Sequence, residues 1–142
     1  MSFELHPDLL RDGLHMGDFS LCHLRLINDA NYPWFVLIPK RDGISDTIDL
    51  TPEDHAAMWE ESRIFSQAIM AVFKGEKLNV AALGNMTPQL HLHHIVRYKA
   101  DAAWPGPIWG KLPLKPYELT EVAKIHKALT EGAIPNYTPT EI

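Results

Sequence analysis

One long helical segment near the middle of the chain constrains the fold more than any other feature. Thr51 supplies a capping hydroxyl, Pro52 suits a first helical turn, and Asp54 places negative charge where the helix dipole favours it. Four apolar residues at helical spacing predict one buried stripe: Met58, Phe65, Ile69 and Val72. Three charged residues fall among the polar positions: Glu60, Glu61 and Arg63. Gly75 is of a residue type that ends helices, so we expect the helix to stop there.

Extended segments precede and follow this helix. Four stretches have strand character, and the first of them holds two strands: residues 14–28, 34–39, 77–83 and 89–98. A run of adjacent strands interrupted by one long helix favours an antiparallel sheet with helical cover. The sequence therefore predicts an α+β fold with a sheet of about five strands.

The two ends of the chain have weaker patterns. Residues 6–13 predict a short helical turn, and residues 102–116, rich in proline and tryptophan, predict an irregular arm. Apolar or aromatic side chains then recur at helical spacing: Leu119, Val122, His126 and Leu129. We expect a C-terminal helix that ends near Gly132.

Composition limits the classes of function. A chain of 142 residues fits one domain over residues 1–142, and its net charge of -5 argues against binding to a nucleic-acid backbone. No apolar run approaches the length of a membrane span. The single cysteine, Cys22, cannot form an internal disulfide and is expected in the core. A cytoplasmic location is the expectation.

Residues 89–98 carry the clearest chemical pattern, Gln-Leu-His-Leu-His-His-Ile-Val-Arg-Tyr. Because side chains alternate along a strand, one face presents Gln89, His91, His93 and Arg97, whereas His94 faces the presumed core. Two imidazoles beside a guanidinium indicate an anion in front of them or histidines that are kept neutral. A neutral imidazole is a nucleophile, and the loop at Gly84 and Asn85 could bring amide donors to the same place. This equipment is typical of phosphoryl or nucleotidyl transfer.

The motif from Gln89 to Ile95 resembles the histidine-triad (HIT) signature, His-x-His-x-His followed by two apolar positions. The resemblance covers residues 14–98 as a core, so that residues 99–142 form a C-terminal arm and helix. It implies a HIT-like fold and a homodimer that hydrolyses or transfers nucleotides at the α-phosphorus. The expected substrates are dinucleoside polyphosphates or nucleoside phosphoramidates, and the intermediate is a nucleotidyl-histidine. No cofactor and no metal are implied.

The same resemblance implies roles for individual residues. His91 is the nucleophile, and His93 is the third histidine, which bonds a phosphate or leaving-group oxygen. Asn85 lies where the family often has a glutamine that contacts phosphate, and Asn28 matches a position near the ribose and base pocket. Gln89 replaces the first histidine, so it can exchange hydrogen bonds with its neighbours but cannot carry a proton charge.

Other interpretations of these residues remain open. The loss of the first histidine at Gln89 favours a second hypothesis, a non-catalytic module that binds or senses nucleotides. A metal site on His91, His93 and His94 is a third, although adjacent strand residues point to opposite faces. Arg97 could help to hold a phosphate or could form an ion pair. Two tryptophans of the arm could serve as core, dimer contact or lid: Trp104 and Trp109.

Overall fold

An antiparallel sheet forms the centre of the protein in the computed structural model, which describes residues 3–141. Six strands are present there: β1 (Gly13–Asp18), β2 (Cys22–Ile27), β3 (Trp34–Pro39), β4 (Lys77–Ala81), β5 (Leu92–Arg97) and β6 (Thr138–Pro139). Their order across the sheet is β4-β5-β3-β2-β1-β6, and every neighbouring pair is antiparallel. The α+β prediction is confirmed. The count of about five strands missed β6, a two-residue strand that pairs only with the edge strand β1.

Within the described residues, three α-helices pack around the sheet: α1 (Pro7–Asp12), α2 (Pro52–Val72) and α3 (Leu119–Glu131). The hydroxyl of Thr51 accepts the Asp54 N–H at 3.1 Å, as the capping pattern predicts. Met58, Phe65 and Ile69 are buried from α2 against one face of the sheet. No helix within residues 3–141 is long and apolar enough to cross a membrane.

Glu61 corrects the prediction that it lies on the polar side of α2. Its two carboxylate oxygens accept the backbone N–H groups of Leu21 and Cys22, each at 2.9 Å, and its side chain is buried. These donors stand at the start of β2, and they stabilise the buried carboxylate through two charge-assisted hydrogen bonds. Burial raises the pKa of the Cys22 thiol well above its usual range, so Cys22 is a core residue as expected.

The arm that follows β5 covers the opposite face of the sheet. There Ile95 packs with Tyr32, Ala103 and Ile108, separately from the cluster beneath α2. The side chain of Asn28 accepts the Tyr117 N–H at 2.9 Å and so holds the far end of the arm against β2. The site described next lies on this arm-covered face.

Candidate functional site

Strand β5 distributes three neighbouring histidines between the two faces of the sheet. His94 points towards α2, where its Nε2 lies 2.7 Å from the Ser62 hydroxyl, and burial lowers its pKa to about 4. His91 and His93 point the other way, as the alternation predicts. The strand itself is shorter than expected, because Gln89 and His91 precede its first residue, Leu92.

His91 and His93 open onto a cavity of about 380 Å³, a volume typical of small-molecule sites. Asn85 lines it as part of the loop that follows β4, and Asp12 is the one acidic residue in its wall. Most of the remaining wall is apolar: Leu9, Ile27, Trp34, Leu83, Trp109 and Leu114. No lysine or arginine of residues 3–141 lines it, so an anion bound there would meet hydrogen-bond donors rather than cations.

The backbone carbonyl of Gln89 orients His91. Its oxygen lies 2.7 Å from Nδ1 of His91. A carbonyl oxygen can only accept, so in the neutral ring the proton lies on Nδ1 and the lone pair lies on Nε2. A neutral imidazole held in this way is a competent nucleophile.

His93 lies beside His91, with a distance of 4.9 Å between the ring centroids. The indole Nε1 of Trp34 is 3.0 Å from Nδ1 of His93, and the ring of Trp109 lies edge-on at 5.1 Å. Burial, together with the nearby His91 and His94, lowers the pKa of His93 to about 3. His93 is therefore a neutral imidazole at physiological pH.

The side chain of Gln89 forms its hydrogen bonds with the N-terminal segment and not with His91 or His93. Its Oε1 accepts the His6 N–H at 2.8 Å, and its Nε2 donates to the Glu4 carbonyl at 2.9 Å. The amide thus ties the N-terminal segment to the edge of the site. The expected hydrogen bonding of Gln89 with its neighbours is met only by its backbone carbonyl, on His91.

Arg97 does not reach the cavity, which corrects its assignment as a substrate-binding residue. Its side chain is 1% exposed and makes a two-pronged ion pair with Asp101 at 2.8 and 3.0 Å. It also donates to Asn79 and to the Gly106 carbonyl. Its donors are directed at the arm and at β4, because residues 99–106 fold back over the end of β5 and Asn79 lies on the neighbouring strand.

Of the other two predicted binding residues, Asn85 lines the cavity and Asn28 does not. The Asn28 side chain is occupied by Tyr117, and the wall residue at this end of β2 is Ile27. Of the two tryptophans of the arm, Trp109 joins the site, and Trp104 stacks 5.7 Å from the Arg97 guanidinium.

Trp34 is the site residue that sequence reasoning missed. The sequence predicted only that it begins the strand of residues 34–39, with no role in the chemistry. The sheet register supplies the missing signal, since Trp34 pairs with Ile95 and Val36 pairs with His93. Residues paired across neighbouring strands share a face. Trp34 therefore stands on the same face as His93.

Metal binding at the three motif histidines is not supported by this geometry, since His94 lies on the opposite face from the other two. Within residues 3–141, one other group has three potential ligands close together: His15, Asp18 and His23. Two basic side chains already contact this group: Lys40 lies 3.6 Å from Asp18, and Arg25 lies 3.2 Å from His23. Positive charge at this distance disfavours a metal ion.

Comparison with known proteins identifies close relatives. The HIT domain family model matches residues 12–100. A histidine triad protein of Marinobacter aquaeolei VT8 is 45% identical, with a TM-score of 0.90 over 93% of this chain and 96% of that one. A second from Sinorhizobium meliloti 1021 is 37% identical, with a TM-score of 0.90 over 92% and 96% of the two chains. A third from Bradyrhizobium japonicum is 42% identical, with a TM-score of 0.88 over 93% and 98%. The search of curated proteins gave no match.

Proposed function

The chain belongs to the histidine-triad (HIT) family, and on that premise we propose that it cleaves a nucleotide conjugate at the α-phosphorus, with His91 as nucleophile. The substrate is a dinucleoside polyphosphate or a nucleoside phosphoramidate. The observation that carries this proposal is the position of His91 in the cavity wall with its Nδ1 held by the Gln89 carbonyl, which leaves Nε2 as the nucleophilic atom of the neutral ring. A backbone carbonyl holds His91 whatever side chain stands at position 89, so this contact does not require the histidine that Gln89 replaces.

The first step forms a bond between Nε2 of His91 and the α-phosphorus. The bond to the leaving group breaks, and its electron pair departs with the leaving oxygen or nitrogen. The imidazole becomes positively charged, and its Nδ1–H then makes a charge-assisted hydrogen bond to the Gln89 carbonyl, stronger than in the free enzyme. Stabilisation that grows along the reaction coordinate lowers the barrier rather than merely improving binding.

The second step releases the nucleotide. A water oxygen attacks the phosphorus, the bond between phosphorus and nitrogen breaks, and the electron pair returns to Nε2 of His91. The proton lost by the water passes to the departed leaving group or to solvent. If an alcohol or a phosphate replaces water, the same intermediate gives transfer instead of hydrolysis.

Negative charge on the phosphoryl oxygens is met by hydrogen-bond donors. His93 and the loop at Asn85 line the same cavity as His91, so an imidazole N–H and the Asn85 amide are the donors we assign to this charge. Preorganised neutral donors of this kind typically contribute about 3 kcal/mol each to stabilising an oxyanion. The apolar residues Ile27 and Leu9 offer surface for a nucleobase.

A panel of nucleotide conjugates tests the proposal. Wild-type protein should release a nucleoside monophosphate from at least one of them, and His91→Ala should abolish release while leaving the circular dichroism spectrum unchanged. His15→Ala is the matched control, since this histidine lies on β1 away from the cavity, and it should keep full activity. Full activity in His91→Ala would exclude the mechanism.

The same panel tests the second hypothesis, a non-catalytic module. Micromolar binding of a nucleoside monophosphate by calorimetry, with no turnover of any conjugate, would favour binding without catalysis. The expected homodimer is a separate prediction, which analytical ultracentrifugation of the wild-type protein addresses.

A further inference from the structure

The two cavity histidines are held by partners of opposite hydrogen-bonding character. The Gln89 carbonyl at Nδ1 of His91 can only accept a hydrogen bond. The indole Nε1 of Trp34, at Nδ1 of His93, can only donate one. In His91 the proton therefore lies on Nδ1, and in His93 it lies on Nε2. One ring presents a lone pair to the cavity and its neighbour presents an N–H.

We propose that Trp34 is a positioning residue that holds His93 in the Nε2–H tautomer, so that His93 acts as a neutral hydrogen-bond donor to the phosphoryl group. The tautomer assignment stands on geometry alone, whereas its catalytic consequence rests on the function proposed above. In this arrangement Trp34 provides the orientation that the side chain of Gln89 does not, because the Gln89 amide is bound to the N-terminal segment.

The contact is well defined by the surrounding packing. Val36 on β3 pairs with His93, and Trp34 lies two residues before Val36 on the same face of the strand. Its ring is 5.8 Å from the His93 ring, and Trp109 packs edge-on against it at 6.4 Å. A side chain wedged in this way has little rotational freedom, so the donor stays directed at Nδ1.

An indole partner also disfavours the protonated form of His93. An imidazolium carries N–H groups at both nitrogens, so Nδ1–H would face the indole N–H and the hydrogen bond would be lost. The titratable groups on the cavity side of His93 are His91 and Asp12, and His94 is its neighbour along the strand on the opposite face. Asp12 is already paired with Arg11 at 2.7 Å, which weakens its pull on a proton at His93.

Nuclear magnetic resonance of the wild-type protein tests the assignment without any substrate. In protein labelled with nitrogen-15 at histidine and tryptophan, the long-range proton–nitrogen correlation should show His93 protonated at Nε2 and unprotonated at Nδ1 from pH 5 to pH 8. A nitrogen–nitrogen coupling across the hydrogen bond should connect Trp34 Nε1 to His93 Nδ1. A proton on Nδ1 of His93 in the wild type would overturn the proposal.

Trp34→Phe supplies the second test. This substitution keeps an aromatic ring but removes the hydrogen-bond donor. His93 should then become a mixture of tautomers, and its pKa should rise towards the ordinary value of an imidazole. Trp109→Phe is the matched control, because Trp109 touches the same ring without hydrogen-bonding to it, and the tautomer should not change. An unchanged His93 tautomer in Trp34→Phe would contradict the positioning role.

Kinetics connect the tautomer to the reaction. On a conjugate that the wild type cleaves, Trp34→Phe should lower kcat by about 3- to 10-fold with a smaller change in KM, as expected for one hydrogen bond used in the transition state. Trp59→Phe, on the exposed side of α2, should leave both constants unchanged. If the wild type cleaves no conjugate, the proposed function fails, and the resonance measurement still decides the role of Trp34.

Discussion

Replacing Arg97 with methionine should destabilise the protein strongly, although Arg97 does not touch the cavity. The guanidinium lies between the end of β5 and the arm, where it is bound by the Asp101 carboxylate, the Asn79 side chain and the Gly106 carbonyl. Methionine preserves most of the buried volume and removes all of these donors. Asp101 is then left as a buried carboxylate with its cationic partner gone.

The expected loss follows from the burial of both partners. Their side chains are 1% and 6% exposed, and breaking a pair buried to this extent typically costs about 3 to 5 kcal/mol. The N–H groups of Tyr98, Ala103 and Trp104 still bond to Asp101, so we expect a value near 3 kcal/mol. For a domain of this size, that corresponds to a melting temperature lower by about 10 °C.

The pH dependence of this loss has a definite sign. The ion pair with Arg97 is the main cause that lowers the pKa of Asp101 to about 2, from an ordinary 3.8. A carboxyl group whose pKa is lowered on folding contributes stability above pH 3.8 and loses that contribution as the pH falls towards 2. At 1.36 kcal/mol for each pKa unit, the contribution is about 2 kcal/mol. The difference between wild type and Arg97→Met should therefore shrink as the pH falls below 3.8.

Urea denaturation followed by circular dichroism, at pH 7 and at pH 3, measures both quantities. Arg63→Met is the matched control, since the Arg63–Glu60 pair lies on the exposed side of α2, where solvent screens it, and its loss should cost far less than the loss of the buried pair. A loss in Arg97→Met no larger than in the control would refute the argument from burial. A difference that stays constant down to pH 3 would show that Asp101 is not the group left without a partner.

Two further substitutions test the packing around α2. Glu61→Gln should lower the free energy of unfolding by about 1 to 3 kcal/mol, because the amide has one acceptor oxygen for the N–H groups of Leu21 and Cys22. The control Glu60→Gln, at the neighbouring exposed residue, should cost far less, and equal losses in urea denaturation would contradict the role of Glu61. Gly75→Ala should lower the free energy of unfolding by about 1 to 3 kcal/mol, because the added Cβ would lie 2.5 Å from a methyl group of the buried Val96. An unchanged melting temperature would show that the turn after α2 adjusts to the added methyl group.

Local patterns in the sequence determined the elements and the faces they present. Thr51 and the apolar spacing of α2 placed the long helix, and alternation along residues 89–98 placed His91 and His93 opposite His94. The strand of residues 34–39 and the C-terminal helix were predicted with the bounds that the structure has, to within one residue. These features depend on residues within a few positions of one another. A single strand or helix period is therefore enough to predict them.

Only the tertiary structure decided which distant group each polar side chain meets. Arg97 became a structural residue because the arm folds back to bring Asp101 against it, and Gln89 bonds to Glu4 and His6 because the N-terminal segment crosses there. Trp34 meets His93 because β3 lies beside β5, 59 residues further along the chain. Buried polar groups must find partners wherever the fold provides them. The residue type predicts that a hydrogen bond will be made, but strand order and register select the partner.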